Sequence, residues 1–146
     1  MKTVIPVDIV TLGSDNSFHL FVICIINGKK YDILIDTGAS HTIFDATLIP
    51  EIPADETEGQ NIESAGIHAG ELKTSFGRIK KFKLGDLKRN DWMVVLIDLT
   101  HVNELYKKFA DKRVAGLIGS DFLLEFNAII DYKKKILVLR KKRKKK

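Results

Sequence analysis

The chain has 146 residues and a formal net charge of +5, from 24 Lys and Arg against 19 Asp and Glu. That excess sits at one end: residues 133–146 hold ten bases and no acid, which leaves 14 bases against all 19 acids in residues 1–132. The pI of about 9.3 therefore describes a tail, and a uniformly basic nucleic-acid-binding domain does not fit.

A hydrophobic content of 45% suits one folded domain with a real core and argues against disorder of the body. The single cysteine, Cys24, excludes an internal disulfide framework and a Cys-based zinc cluster. It lies in an apolar run and reads as a buried thiol. Met1 to Asp8 lacks the uninterrupted apolar stretch of a signal peptide. The longest apolar run, Phe18 to Ile26, contains His19 and is too short for a bilayer. A cytoplasmic protein with no membrane span is the expectation.

In chain order the pattern is mostly β. Thr3 to Leu12, with Pro6, suits an edge strand, and Asp15-Asn16-Ser17 a turn. Phe18 to Ile26 is apolar on both alternating sets, which predicts a strand covered on both faces. Asn27-Gly28 is a hairpin signal, and Tyr31 to Ile35 is the return strand. Thr42 to Phe44 reads as a short strand, and Ile49-Pro50-Glu51-Ile52-Pro53 interrupts regular structure. Residues 55–61 are an acidic surface loop, and Ser64 to Gly70, with two glycines, a hairpin tip or a loop near ligand. Glu71–Ser75 and Arg78–Leu84 read as strands meeting at Gly77, and Trp92 to Ile97 as a buried strand after the Gly85-Asp86 turn.

The clear helix is His101–Ala110, with Thr100 as N-cap and Val102, Leu105, Tyr106 and Phe109 at helical spacing. Val114 to Ile118 is a strand, Ser120 to Glu125 a helical turn, and Ala128–Asp131 and Ile136–Leu139 a final hairpin. The sum is all-β, a small closed barrel or sandwich with two short helices.

Chemistry is expected at Asp36-Thr37-Gly38. Ile33-Leu34-Ile35 is an apolar strand that ends abruptly on an acid, and Gly38 permits a sharp turn. By itself such an Asp more often satisfies a turn. About 80 residues downstream, Leu117-Ile118-Gly119 follows a strand and precedes a short helix. Together, residues 33–40 and Ala115 to Leu123 resemble the retropepsin-like aspartic proteases, of the cellular and bacterial type with a single Asp-Thr-Gly. Asn127 to Lys133 followed by Ile136 to Leu139 is similar to that family's closing hairpin. The resemblance covers residues from about 4 to 139.

The resemblance implies a closed retropepsin barrel over residues 1–139, followed by a basic tail over 140–146. It implies that Asp36 is the catalytic aspartate. Thr37 bonds across to the partner loop, and the amide of Gly38 bonds a catalytic carboxylate. Ala39 and Ser40 border substrate, and Ser40 replaces an acid found in many retroviral relatives. Ala65, Gly66, Ile67, His68 and Gly70 fall where the family places its substrate-covering flap. Asp121 takes a structural position. No cofactor is implied.

The chemistry needs two carboxylates sharing one proton, and this chain holds one Asp-Thr-Gly. The expectation is therefore a homodimeric aspartic endopeptidase acting on a protein or peptide substrate, with one Asp36 from each chain. The alternative is a catalytically weak retropepsin fold used for dimerisation or peptide binding. None of the four histidines pairs with another at metal-ligand spacing. The tail, without interleaved aromatics, suggests at most a weak anionic partner.

Overall fold

A computed structural model describes residues 1–13, 17–53 and 74–141. In chain order its elements are β1 (Lys2–Pro6), β2 (Asp8–Val10), β3 (His19–Ile26), β4 (Lys29–Ile35), β5 (Ile43–Asp45), β6 (Thr74–Leu84), β7 (Leu87–Ile97), α1 (Thr100–Ala110), β8 (Val114–Ile118), α2 (Ser120–Glu125), β9 (Ile129–Asp131) and β10 (Ile136–Arg140). No helix among the described residues is long and apolar enough to cross a membrane.

The strands β3-β4-β8-β5-β7-β6 follow one another in a sheet, and a further β3–β6 pairing closes them into a six-stranded barrel. Strand β3 makes closure possible by dividing its length. Its first residues pair with β2, whereas Ile25 and Ile26 pair with Lys83 and Phe82 of β6. The tight Asn27-Gly28 turn has positive φ at both residues, as its sequence requires. The expected first strand is two strands. After Pro6, which lacks an amide to donate, the chain leaves β1 and the β1-β10-β9 sheet and joins β3 as β2. Arg140 extends the last strand by one residue beyond the expected Leu139, its amide donating to the carbonyl of Phe126.

The barrel interior takes Leu20, Val22, Cys24 and Ile26 from β3 and Ile33 and Ile35 from β4. Phe44, Phe82, Trp92, Phe122 and Phe126 extend this core as a chain of edge-to-face and tilted rings, with centroids 4.7–6.3 Å apart. A smaller cluster of Phe21, Tyr106 and Val114 lies outside the barrel, under α1.

Four expectations change for identifiable reasons. Of the outer set of β3, Phe21 is buried under α1 and Ile25 is half-buried, but Ile23 is 57% exposed; Phe18, which shares the parity of the inner set, stands before the strand begins and is 69% exposed. Of the four apolar residues spaced along α1, only Tyr106 is buried. Gly77 does not break β6. It lets the strand press against neighbours, since a Cβ there would lie 2.7–2.9 Å from Leu96, Ile49 and the Pro50 carbonyl. Thr100 is the first helical residue, and the N-cap is Leu99. The carboxylate of Asp98 takes the amide and hydroxyl of Thr100, and these hydrogen bonds hold its carboxyl below the usual range. The buried carboxylate of Asp45 accepts from the amide of Leu99 and the amide group of Asn103, joining β5 to the start of α1.

Burial pushes the Cys24 thiol up to about 12 from its ordinary 9.0. The folded state thus keeps a proton that the unfolded chain releases above its own, lower pKa. This contribution to stability is whole below pH 9.0 and is lost as pH rises towards 12. Denaturant titrations between these limits should show stability falling by about 1.4 kcal/mol per pH unit from this group. Cys24→Ala should be less stable at neutral pH but lack that alkaline slope.

Candidate active site

Strands β4 and β8 run parallel and end side by side, with Ile35 beside Ile118. The amide of Asp36 donates to the carbonyl of Ile118 at 2.9 Å, so the first residue past β4 is held by the last residue of β8. The chain then turns tightly. The amide of Ala39 donates to the carbonyl of Asp36 at 3.2 Å, and the amide of Gly38 to Asp36 Oδ1 at 3.0 Å. One carboxylate oxygen is thereby oriented by the backbone that follows it. Asp36 is half-buried, and Thr37 and Gly38 are exposed.

The segment after β8 locks this turn from below. The amide of Ser120 donates to the carbonyl of Ala39 at 2.8 Å. A Cβ on Gly119 would stand 2.8 Å from the carbonyl oxygens of Ala39 and His41, so only glycine fits without moving that loop. Gly116 is equally constrained, its missing Cβ facing the backbone of Ile43 and Phe44 across the β5–β8 pair.

Buried Thr42 completes the lock. Its hydroxyl donates to Asp121 Oδ1 at 2.7 Å and accepts the amide of Gly119 at 3.1 Å, while its own amide donates to Asp121 Oδ2 at 3.1 Å. Asp121 also accepts the amide of Phe122 at 2.8 Å. Both oxygens of Asp121 are engaged in holding the two segments together. Thr42 was not singled out from the sequence; its partner is 79 residues away, and no local pattern records that.

Among the described residues, the hydroxyls of Thr37 and Ser40 have no hydrogen-bond partner, and Ser40 does not reach Asp36. Thr37 borders a hollow of about 360 Å³ with Leu123, Leu124, Ala128 and Ile130, and Leu124 is 79% exposed. Ala65, Gly66, Ile67, His68 and Gly70 lie outside the described residues.

Sequence reasoning also passed over His19 and Tyr106. His19 stands one position beyond Leu20, the partner of Ile35, at the same end of the barrel as Asp36. Its Nδ1 lies 3.1 Å from the Tyr106 hydroxyl and its Nε2 3.0 Å from Ser17 Oγ. Burial, then the negative charge of Asp36, raise the Tyr106 phenol above its ordinary value, so a neutral hydroxyl faces the imidazole of His19. No short-range pattern links a strand histidine to a tyrosine 87 residues on.

The Thr42 network gives a direct test. Thr42→Val keeps the shape but strands the Gly119 amide and removes one partner of Asp121. It should cost roughly 1–3 kcal/mol in chemical denaturation. Any activity that depends on Asp36 should fall more steeply than global stability requires.

The chain matches the family model described as aspartyl protease over residues 22–122. No curated protein sequence matches it. Its fold is similar to the retroviral protease-like domain of Ddi1 from Leishmania major, at a TM-score of 0.51 and 20% identity, over 83% of this chain and 87% of that one. A retropepsin-like aspartic protease from Rickettsia conorii aligns over 95% of this chain and 91% of that one, at a TM-score of 0.44 and 15% identity. The barrel is of the retropepsin-like type, and the chain belongs to the aspartyl protease family.

Proposed function

We propose that the protein is a homodimeric aspartic endopeptidase in which Asp36 of each subunit supplies one carboxylate of a shared pair. The observation that carries this reading is the held turn at Asp36-Thr37-Gly38 on the end of β4, in a chain of the aspartyl protease family that has one such motif. One carboxylate can serve as acid or as base, but peptide hydrolysis needs both at once.

Two carboxylates brought together cannot both ionise cheaply, so they hold one proton between them. The ionised member takes a proton from water, which attacks the scissile carbonyl. The protonated member donates a hydrogen bond to that carbonyl and then passes a proton to the leaving nitrogen. The pair titrates as a unit. In this reading the unpartnered Thr37 hydroxyl and the apolar hollow beside it face the second subunit. Thr37 braces the partner loop, Gly38 orients the carboxylate, and Ala39 and Ser40 border the substrate backbone. Residues 65–70 cover an extended protein or peptide substrate, which pairs as an added strand. No cofactor enters these steps.

Asp36→Asn should lower cleavage of a mixed peptide library by roughly 10³-fold or more across acid to neutral pH. Wild-type activity per chain should rise with concentration in step with dimer measured by sedimentation. Equal cleavage by wild type and variant would remove the assignment. Peptide binding that survives the substitution, with no product at any pH, would identify a peptide-binding module instead.

A further inference from the structure

The acidic excess of residues 1–132 is confined to 14–16 and 54–73, which hold six acids and one base; the other residues up to 132 balance at 13 each. Within that balance, Thr74 to Asn90 carries six bases and one acid. The β3–β6 seam gathers several of these bases on one outer face of the barrel. Lys30 opposes Ile25, Ile25 opposes Lys83, and Lys83 opposes Lys88, so four neighbouring strands put these residues in one row. In the next row Lys81 opposes Asn90. Directly opposed like charges such as Lys83 and Lys88 repel. Among the described residues none of Lys30, Lys81, Lys83 or Lys88 forms an ion pair. Of the nearby acids, Asp32 is paired with Lys112 and Glu125 with Arg89. Asp86 at the hairpin turn and Asp91 after Asn90 form no ion pair with these lysines, which leaves the four lysines against two acids on the hairpin and its seam.

This face is concave. Lys81, Lys83, Lys88 and Asn90 rim a hollow of about 340 Å³ with Ile25 and Phe82 along its floor. The floor is held firm at the turn. The Asn27 amide donates to the Lys81 carbonyl at 2.8 Å, and the Lys81 amide donates to Asn27 Oδ1 at 3.0 Å.

We propose that this seam binds the phosphodiester backbone of single-stranded nucleic acid, as a site separate from the Asp36 cleft. Lysines are compact point charges that suit phosphate oxygens at several spacings, whereas a carboxylate partner would favour arginine forks. A row spread over four strands, at about 4.8 Å per strand, outspans one small anion and matches a chain of them. A concave face presents its charges poorly to a flat bilayer. Phe82 is buried, so no aromatic platform is offered and base preference should be slight. Lys30 lies near the start of β4 and Asp36 just past its end, on the order of 20 Å away, so nucleic acid here leaves the peptide cleft open.

The test uses the full chain and a labelled oligo(dT), with binding followed by anisotropy across salt concentrations. Wild type is compared with Lys81→Gln/Lys83→Gln/Lys88→Gln. Both keep the basic tail, so its contribution cancels. The three side chains are exposed, and an unchanged melting midpoint confirms folding. The variant should bind on the order of tenfold more weakly at low salt, and its log K against log salt slope should be shallower by about 2. Oligo(dA) should bind as oligo(dT) does. Equal slopes for the two proteins would overturn the proposal. So would a triple-variant defect seen only with phosphatidylserine vesicles, or only with poly-glutamate.

Discussion

The structure depends on one close crossing. The end of β4 and the end of β8 lie side by side, and the segment after β8 passes directly beneath the Asp36 turn. That approach exists only because Gly119 has no Cβ to meet the carbonyls of Ala39 and His41. Gly116 allows the same intimacy one strand over, against Ile43 and Phe44. Backbone groups brought so close have to be satisfied, and the hydrogen bonds from Asp36 to Ile118 and from Ser120 to Ala39 do this. The Thr42–Asp121 pair then ties the two segments by side chains. A carboxylate carried on such a turn has little freedom to drift, which is what positioned acid–base chemistry asks of it.

The rest of the barrel supports that crossing. The aromatic chain from Phe44 to Phe126 runs from β5, beside the crossing, to the end of α2, which starts immediately after Gly119. On the outer side, α1 is fastened at its start by Asp98 and Asp45 and in its middle by Tyr106 on Phe21. Lys112, just past the helix, reaches Asp8 at 2.9 Å and Asp32 at 3.3 Å, joining β2, β4 and the approach to β8. Burial works against its charge, but those two carboxylates hold the ammonium above its usual range.

Much of this was legible locally. Asn27-Gly28 announced its turn through backbone chemistry, and Ile33-Leu34-Ile35 with Leu117-Ile118-Gly119 marked the strands that meet at the site. What was not legible depends on distant partners. Gly77 looked like a break because glycine often is one; here it makes room for Ile49 and Pro50, nearly thirty residues earlier. Ile23 looked buried because alternation records apolarity, not whether another layer arrives to cover it, and Phe18 looked buried because the strand was expected to start one residue earlier than it does. Thr42 and Asp121 carry no local signature of their pairing. Net charge misled in the same way: segments of opposite sign nearly cancelled along the chain, while strand register gathered Lys30, Lys83 and Lys88 on one face.

The lone thiol has a practical meaning beyond its acid strength. Cys24 is fully buried in the middle of β3, between the portion that pairs with β2 and the portion that closes the barrel on β6. A thiol reagent reaches it only when β3 parts from its neighbours. Because the chain has one cysteine, the rate of labelling reports a single site, exposed whenever the barrel around β3 opens, locally or globally. The molecule thus carries a built-in clock for its own opening, readable without adding a probe.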